Sequence, residues 1–108
     1  MEKKQDKKQL EEIKKQAYQE LSTALALAKD PVLIGDFLEC LLTPTELQDV
    51  TTRWALVREI DDGITQREIS KNLGLSLCKI TRGSRELKKD DSPFKKMIDV
   101  YLAGQAKK

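Results

Sequence analysis

The sequence predicts an all-α domain of six helices. Three observations lead there. Apolar residues recur at three- and four-residue intervals along most of the chain. The few glycines and prolines read as punctuation between those periodic stretches. No stretch alternates as a half-buried strand would. At 108 residues the chain is one domain's worth, and a domain this small buries a modest core that oligomerisation can supplement. Its 39% hydrophobic and 35% charged residues suit a soluble helical protein and argue against wholesale disorder.

The first helix is expected over residues 5–29, where Leu10, Ile13, Ala17, Leu21, Ala24, Leu25 and Ala28 form one apolar stripe. Residues 1–9 read as a flexible basic arm. Asp30 then N-caps a short helix with Pro31 at its first position, ending near Cys40 or Leu41. Thr43-Pro44-Thr45-Glu46 is a capping box with proline set for the first turn. The long third helix follows through Leu47, Val50, Trp54, Val57 and Ile60, and Gly63 ends it. Thr65 through Glu68 repeats the capping box before a short fourth helix with Ile69 and Leu73 inward, stopped by Gly74. Ser76 caps a fifth helix over residues 77–88. Ser92-Pro93 opens a sixth, with Phe94, Met97, Ile98 and Tyr101 on one face and Gly104 as its stop.

Composition removes several functional classes. No apolar run approaches the roughly 20 residues of a membrane-spanning helix, and the charged start lacks the apolar segment of a secretory signal. Histidine is absent, and Cys40 and Cys78 stand far apart without metal-like spacing. No nucleophile–base pair or phosphate loop presents itself, so an enzyme is not expected. A reduced, cytoplasmic setting fits. Net charge is only +2, but residues 66–89 hold seven cations against two anions. Such a basic segment on an otherwise slightly acidic chain is either the footprint of a polyanion site or a solvated helix surface.

The same segment has the layout of a helix-turn-helix, placed at about residues 66–88. Two short helices flank Gly74, and Ile69, Leu73, Leu75 and Ile80 supply their mutual packing, with small Ser70 at the crossing. Leu77, Cys78, Lys79 and Thr81 then lie near the N-terminus of the second helix, where such motifs meet base edges. The alternative is an ordinary helical hairpin within a bundle. Gly83 interrupts the second helix at a cost of about 1 kcal/mol relative to alanine, so a partner backbone or a ligand is expected to approach there. Arg82 beside it and Arg53 on the third helix can form a two-guanidinium pocket, since arginines stack on aromatic planes and chelate carboxylates. That chemistry suits an aromatic amino acid.

LLTPTE at residues 41–46, Arg53, the TQRE of residues 65–68, Leu73-Gly74, ITRGS at residues 80–84 and Leu87-Lys88 together resemble the Trp repressor family, in order and near its spacing, over about residues 20–102. The resemblance implies an intertwined homodimer of six-helix subunits and an L-tryptophan-activated repressor of operator DNA. No cofactor is implied beyond L-tryptophan as corepressor. It implies that Arg53 and Arg82 sandwich the indole, that Arg82 holds the carboxylate and that Gly83 makes room for the ring. Carbonyls around Cys40, Leu42 and Thr43 of the other subunit would receive the ammonium group. Gln66, Arg67 and Lys71 would meet double-stranded DNA from the first motif helix. Ser76, Leu77, Cys78, Lys79 and Thr81 would meet it from the turn and the second. Tryptophan would set the separation of the two reading heads allosterically, near one DNA turn or roughly 34–36 Å, the spacing general to helix-turn-helix dimers, the Trp repressors among them.

The chain departs from the family pattern in three places. Glu86 stands where a small polar residue is expected near the ring, able to bond the indole N–H or to repel the ligand's carboxylate. The segment between Gly63 and Thr65 is one residue short. Lys79 replaces a small groove-facing residue and can add a guanine or phosphate contact. A regulator on the same scaffold that binds DNA without the ligand, and a module that only dimerises, use the same helices. Trp54 reads as a core or interface residue, Cys78 as a small helix-face residue, and the lysines of residues 3–15 as solvated or DNA-touching.

Overall fold

The computed structural model describes residues 2–106, with side chains over 6–106. Among them the elements are six helices: α1 Glu2–Leu27, α2 Pro31–Leu41, α3 Pro44–Asp61, α4 Gln66–Leu73, α5 Leu77–Lys88 and α6 Pro93–Ala106. The basic arm expected over residues 1–9 falls on Met1, outside the described residues, and on the first turns of α1. The chain divides into two compact units, Met1–Thr43 with α1 and α2 and Pro44–Lys108 with α3 to α6.

In the first unit α1 ends ahead of Asp30-Pro31, because the residue before proline is pushed out of the helical region. Asp30 N-caps α2: the Val32 N–H donates to its Oδ1 at 3.0 Å, and Pro31 occupies the first turn. At the other end the Leu42 N–H donates to the Leu38 carbonyl at 2.9 Å, and Leu42 itself is extended. α2 is strongly apolar yet buries none of its residues; Val32, Leu33 and Leu41 are exposed. Leu10 and Ile13 of the α1 stripe are exposed as well, while Leu21, Leu25 and Ala28 are half-buried.

The second unit holds the buried core: Leu56 and Val57 of α3, Ile69 of α4, Ile80 of α5 and Ile98 of α6. Leu56, Ile69 and Ile80 form one cluster, and Ile60, Ile64, Leu73 and Leu75 close around it. α3 stops at a complete Schellman motif. The Ile64 N–H donates to the Glu59 carbonyl at 3.1 Å and the Gly63 N–H to the Ile60 carbonyl at 3.0 Å, with Gly63 at φ 81°. Ile64 is thereby turned back into the core. The expected α3 stripe is only partly realised: Val57 is buried, Ile60, Leu47 and Trp54 are half-buried, and Val50 is exposed. Leu56, outside that stripe, is buried instead, because α3 packs against α4, α5 and α6 and so has more than one inward side.

Leu56 also explains Gly83. A methyl group at Gly83 would stand 2.8 Å from Leu56 Cδ2 and 3.2 Å from its Cγ, with Ile60 Cδ1 at 3.6 Å. Within the chain, the close approach at this glycine comes from α3. Ser92 caps α6 from a buried position, accepting from the Lys95 N–H at 3.4 Å. Gly104 does not stop α6, which runs to Ala106: glycine permits the left-handed turn that ends a helix but does not compel it. α6 is tied to α3 by Lys95 Nζ, 3.0 Å from Asp61 Oδ1, and by Arg58, whose guanidinium lies 5.1 Å from the Tyr101 ring centre; within α6, Lys95 Nζ is also 3.3 Å from Asp99 Oδ1.

Two outcomes are expected. The hydrogen bond to Asp61, then that to Asp99, raise the Lys95 pKa above its ordinary 10.5. A raised folded-state value means the stabilisation is complete below 10.5 and is lost as pH climbs through that folded value. The gap in urea midpoint between wild type and Lys95→Met is therefore expected to narrow at high pH; a gap independent of pH would assign the effect to the lysine stem. Gly83→Ala gains about 1 kcal/mol of helix propensity but overpacks Leu56, at a typical cost of about 1–3 kcal/mol. The variant is expected to unfold at lower urea than wild type, and a higher midpoint would show that Leu56 gives way.

Candidate nucleic-acid interface and ligand site

α4 and α5 are placed by local chemistry that the sequence spells out. Thr65 is extended and accepts from the Glu68 N–H at 3.2 Å, starting α4. Gly74, at φ 66° and ψ 29°, ends it, and its N–H donates to the Ser70 carbonyl at 2.9 Å. The Ser70 hydroxyl reaches across the turn and donates to the Leu75 carbonyl at 2.9 Å. Ser76 is extended again and accepts from the Lys79 N–H at 3.4 Å, starting α5. The turn therefore spans residues 74–76, with a hydrogen bond from each of its flanks. Ile69 and Ile80, both fully buried, lock the two helices to Leu56 below.

That anchoring leaves one side of the pair free. Gln66, Arg67 and Lys71 are exposed on α4, as are Ser76, Leu77, Cys78 and Lys79 at the start of α5. Thr81, one residue past Ile80, is half-buried. Leu77 keeps 59% of its surface in solvent although it is an aliphatic residue in a helix, so the core does not claim it. The exposed face thus joins cations to the N-terminal end of α5, where unpaired amides and the helix dipole favour negative charge.

The expected ligand residues fall in both units. Arg82, exposed, and Gly83 and Glu86, half-buried, lie on α5; Arg53, exposed, lies on α3 one turn before Leu56. Glu86 Oε1 is ion-paired with Lys89 Nζ at 2.9 Å. Cys40, exposed, and Leu42, half-buried, lie at the end of α2, with exposed Thr43 after them. No group of histidine, cysteine or acidic residues among the described residues could hold a metal ion. None of the described helices is long and apolar enough to cross a membrane.

One polar contact between α3 and α4 has no counterpart in the sequence reading. Asn72 Nδ2 donates to Glu59 Oε1 at 2.7 Å. The second oxygen, Glu59 Oε2, is buried without a hydrogen-bond partner, as is Arg58 Nη1 beside it. The pair lies 13 residues apart across a turn. A polar residue late in α4 and a glutamate late in α3 are ordinary surface patterns, so nothing local signals it.

The Trp repressor protein family profile matches residues 16–101. Among similar curated proteins, the Trp operon repressor homolog of Pasteurella multocida is 38% identical over 89 residues, covering 82% of this chain and 83% of that protein. That of Vibrio vulnificus is 39% identical over 71 residues, covering 65% and 70%. That of Chlamydia trachomatis serovar L2 is 36% identical over 70 residues, covering 64% and 74%. No solved structure matches the chain significantly. Six helices with this turn and these caps, a match across most of the chain and such relatives agree: the chain belongs to the Trp repressor family, a family of transcription regulators rather than enzymes.

Proposed function

We propose that the chain acts in the cytoplasm as a homodimeric repressor whose α4–α5 helix-turn-helix binds operator DNA when L-tryptophan is bound. The observation that carries this reading is the division of α5. Ile80 is wholly buried while Leu77, Cys78 and Lys79, immediately before it, are exposed. A reading helix needs this: one side anchored so that its position is defined, the other free to enter a groove. Gln66, Arg67 and Lys71 of α4, with Ser76 at the turn, extend the same exposed basic face toward phosphates. Thr81, half-buried, borders it.

The ligand reading rests on Arg53 and Arg82, exposed on two helices packed together through Leu56 and Gly83. Their guanidinium planes can stack on an indole, and Arg82 can hold its carboxylate. Lys89 compensates the charge of Glu86, which reduces repulsion of that carboxylate. The carbonyls around Cys40, Leu42 and Thr43 would come from the second copy. The dimer itself is supported by α2, an apolar helix with no fully buried residue in its own chain and with Val32, Leu33 and Leu41 exposed. Covering Val32, Leu33 and Leu41 with a second copy removes apolar surface from water, the main favourable contribution to association. A ligand held between α3 and α5 would fix the reading heads at the separation that DNA requires.

A second reading, DNA binding without the ligand, is favoured by one observation: Leu56 of the same chain already fills the space beside Gly83. Calorimetric titration of L-tryptophan separates the two. Saturable binding near one ligand per chain is expected; a well-folded dimer that binds duplex DNA but shows no tryptophan heat would favour the second reading. Arg82→Ala is expected to weaken tryptophan binding more than ten-fold, the loss of a charge-assisted contact of about 1.5–3 kcal/mol, without unfolding the dimer; retained affinity would remove Arg82 from the site. Lys79→Ala is expected to weaken selected operator by about 1–3 kcal/mol and leave tryptophan affinity unchanged. Equal losses on operator and random duplex would make Lys79 a phosphate contact instead.

A further inference from the structure

We propose that the Asn72–Glu59 hydrogen bond is a latch that holds α4 to α3 and so sets the angle at which the DNA-binding face is presented, contributing to DNA affinity. The inference rests on the reading of α4–α5 as the DNA-binding element. This side-chain hydrogen bond joins α4 to α3, and the other contacts described between them are apolar and run through Ile69 and Leu73. The apolar packing places α4, and the 2.7 Å hydrogen bond to a carboxylate adds a directional tie at its C-terminal end.

Glu59 is half-buried: its Oε1 accepts from Asn72 while its Oε2 is buried with no partner, so the Asn72 amide is the side-chain donor that offsets part of the cost of keeping this carboxylate inside. A buried carboxylate oxygen is costly to leave unbonded. When the Asn72 amide is lost, the favourable course for Glu59 is to swing out to water, which frees the last turn of α4. Glu59 also anchors the end of α3, where its carbonyl accepts from the Ile64 N–H. The latch therefore joins the end of α4 to the fixed Schellman turn of α3. Asn72 and Glu59 are positioning residues: they set the angle at which Gln66, Arg67 and Lys71 are presented and touch neither DNA nor ligand.

The test is a donor swap. Asn72→Asp sets two carboxylates against each other and removes the donor. Adding Glu59→Gln restores a donor on the opposite side, so the bond re-forms reversed, although position 72 still carries its new charge near the end of a helix. Amide hydrogen exchange over residues 66–73 is measured on the ligand-free full-length chain, alongside its affinity for a random-sequence duplex without tryptophan. Asn72→Asp is expected to exchange about five-fold faster or more and to bind the duplex more weakly; the double variant is expected to recover both. Exchange that does not change in the single variant, or is not recovered in the double, overturns the latch. Recovered exchange without recovered duplex affinity overturns its role in binding. If wild type itself binds no duplex, the DNA-binding reading fails, and with it the latch's contribution to affinity, while exchange still decides whether the tie exists.

Discussion

Leu56 lies against the bare backbone of Gly83, and the placement of α5 depends on that contact. No side chain can be added at Gly83 without displacing Leu56, so the Leu56 side chain of α3 takes the space on α5 that a side chain at this position would otherwise fill. That approach sets Ile80 into the cluster with Ile69 and Leu56, and the Ile80–Ile69 contact in turn fixes α4. The glycine costs helix propensity in isolation; its compensation is a buried leucine and a defined angle between two helices. The polar details, Ser70 across the turn and Asn72 on Glu59, refine a position that apolar packing has already chosen.

A second constraint follows from the first. With α4 and α5 held from below, their other side is exposed within the unit that α3 to α6 form, and it carries Arg67, Lys71 and Lys79 together with exposed Leu77. The apolar helix α2 likewise leaves Val32, Leu33 and Leu41 exposed. One unit thus presents a basic face and the other exposed apolar residues. The charged face suits a polyanion and the apolar face suits a second protein surface.

Helix ends were legible in the sequence because their chemistry is local. Asp30-Pro31, Thr65 with Glu68, Ser76 with Lys79, and the left-handed Gly63 and Gly74 each complete a hydrogen bond within a few residues. The inward side of α3 was less legible: the helix meets three neighbours, so its apolar residues spread around it and Leu56 escapes a single-stripe reading. Gly104 was misread because a helical glycine and a terminal one look alike before neighbouring packing is known. Among site residues, the solvent exposure of Gln66, Arg67, Lys71, Lys79, Arg53 and Arg82 follows from helical phase. The occupant of the space at Gly83 and the pairing of Asn72 with Glu59 do not, since both join residues from different helices.

The central claim is that one ligand couples to one DNA-binding surface, and reciprocity makes that measurable. A duplex selected from a randomised pool with L-tryptophan present would be titrated with the protein, by fluorescence anisotropy at fixed salt, with and without saturating L-tryptophan. Tighter binding with tryptophan by at least about five-fold is expected, the lower end of typical allosteric coupling. Equal affinities in the two titrations would contradict it.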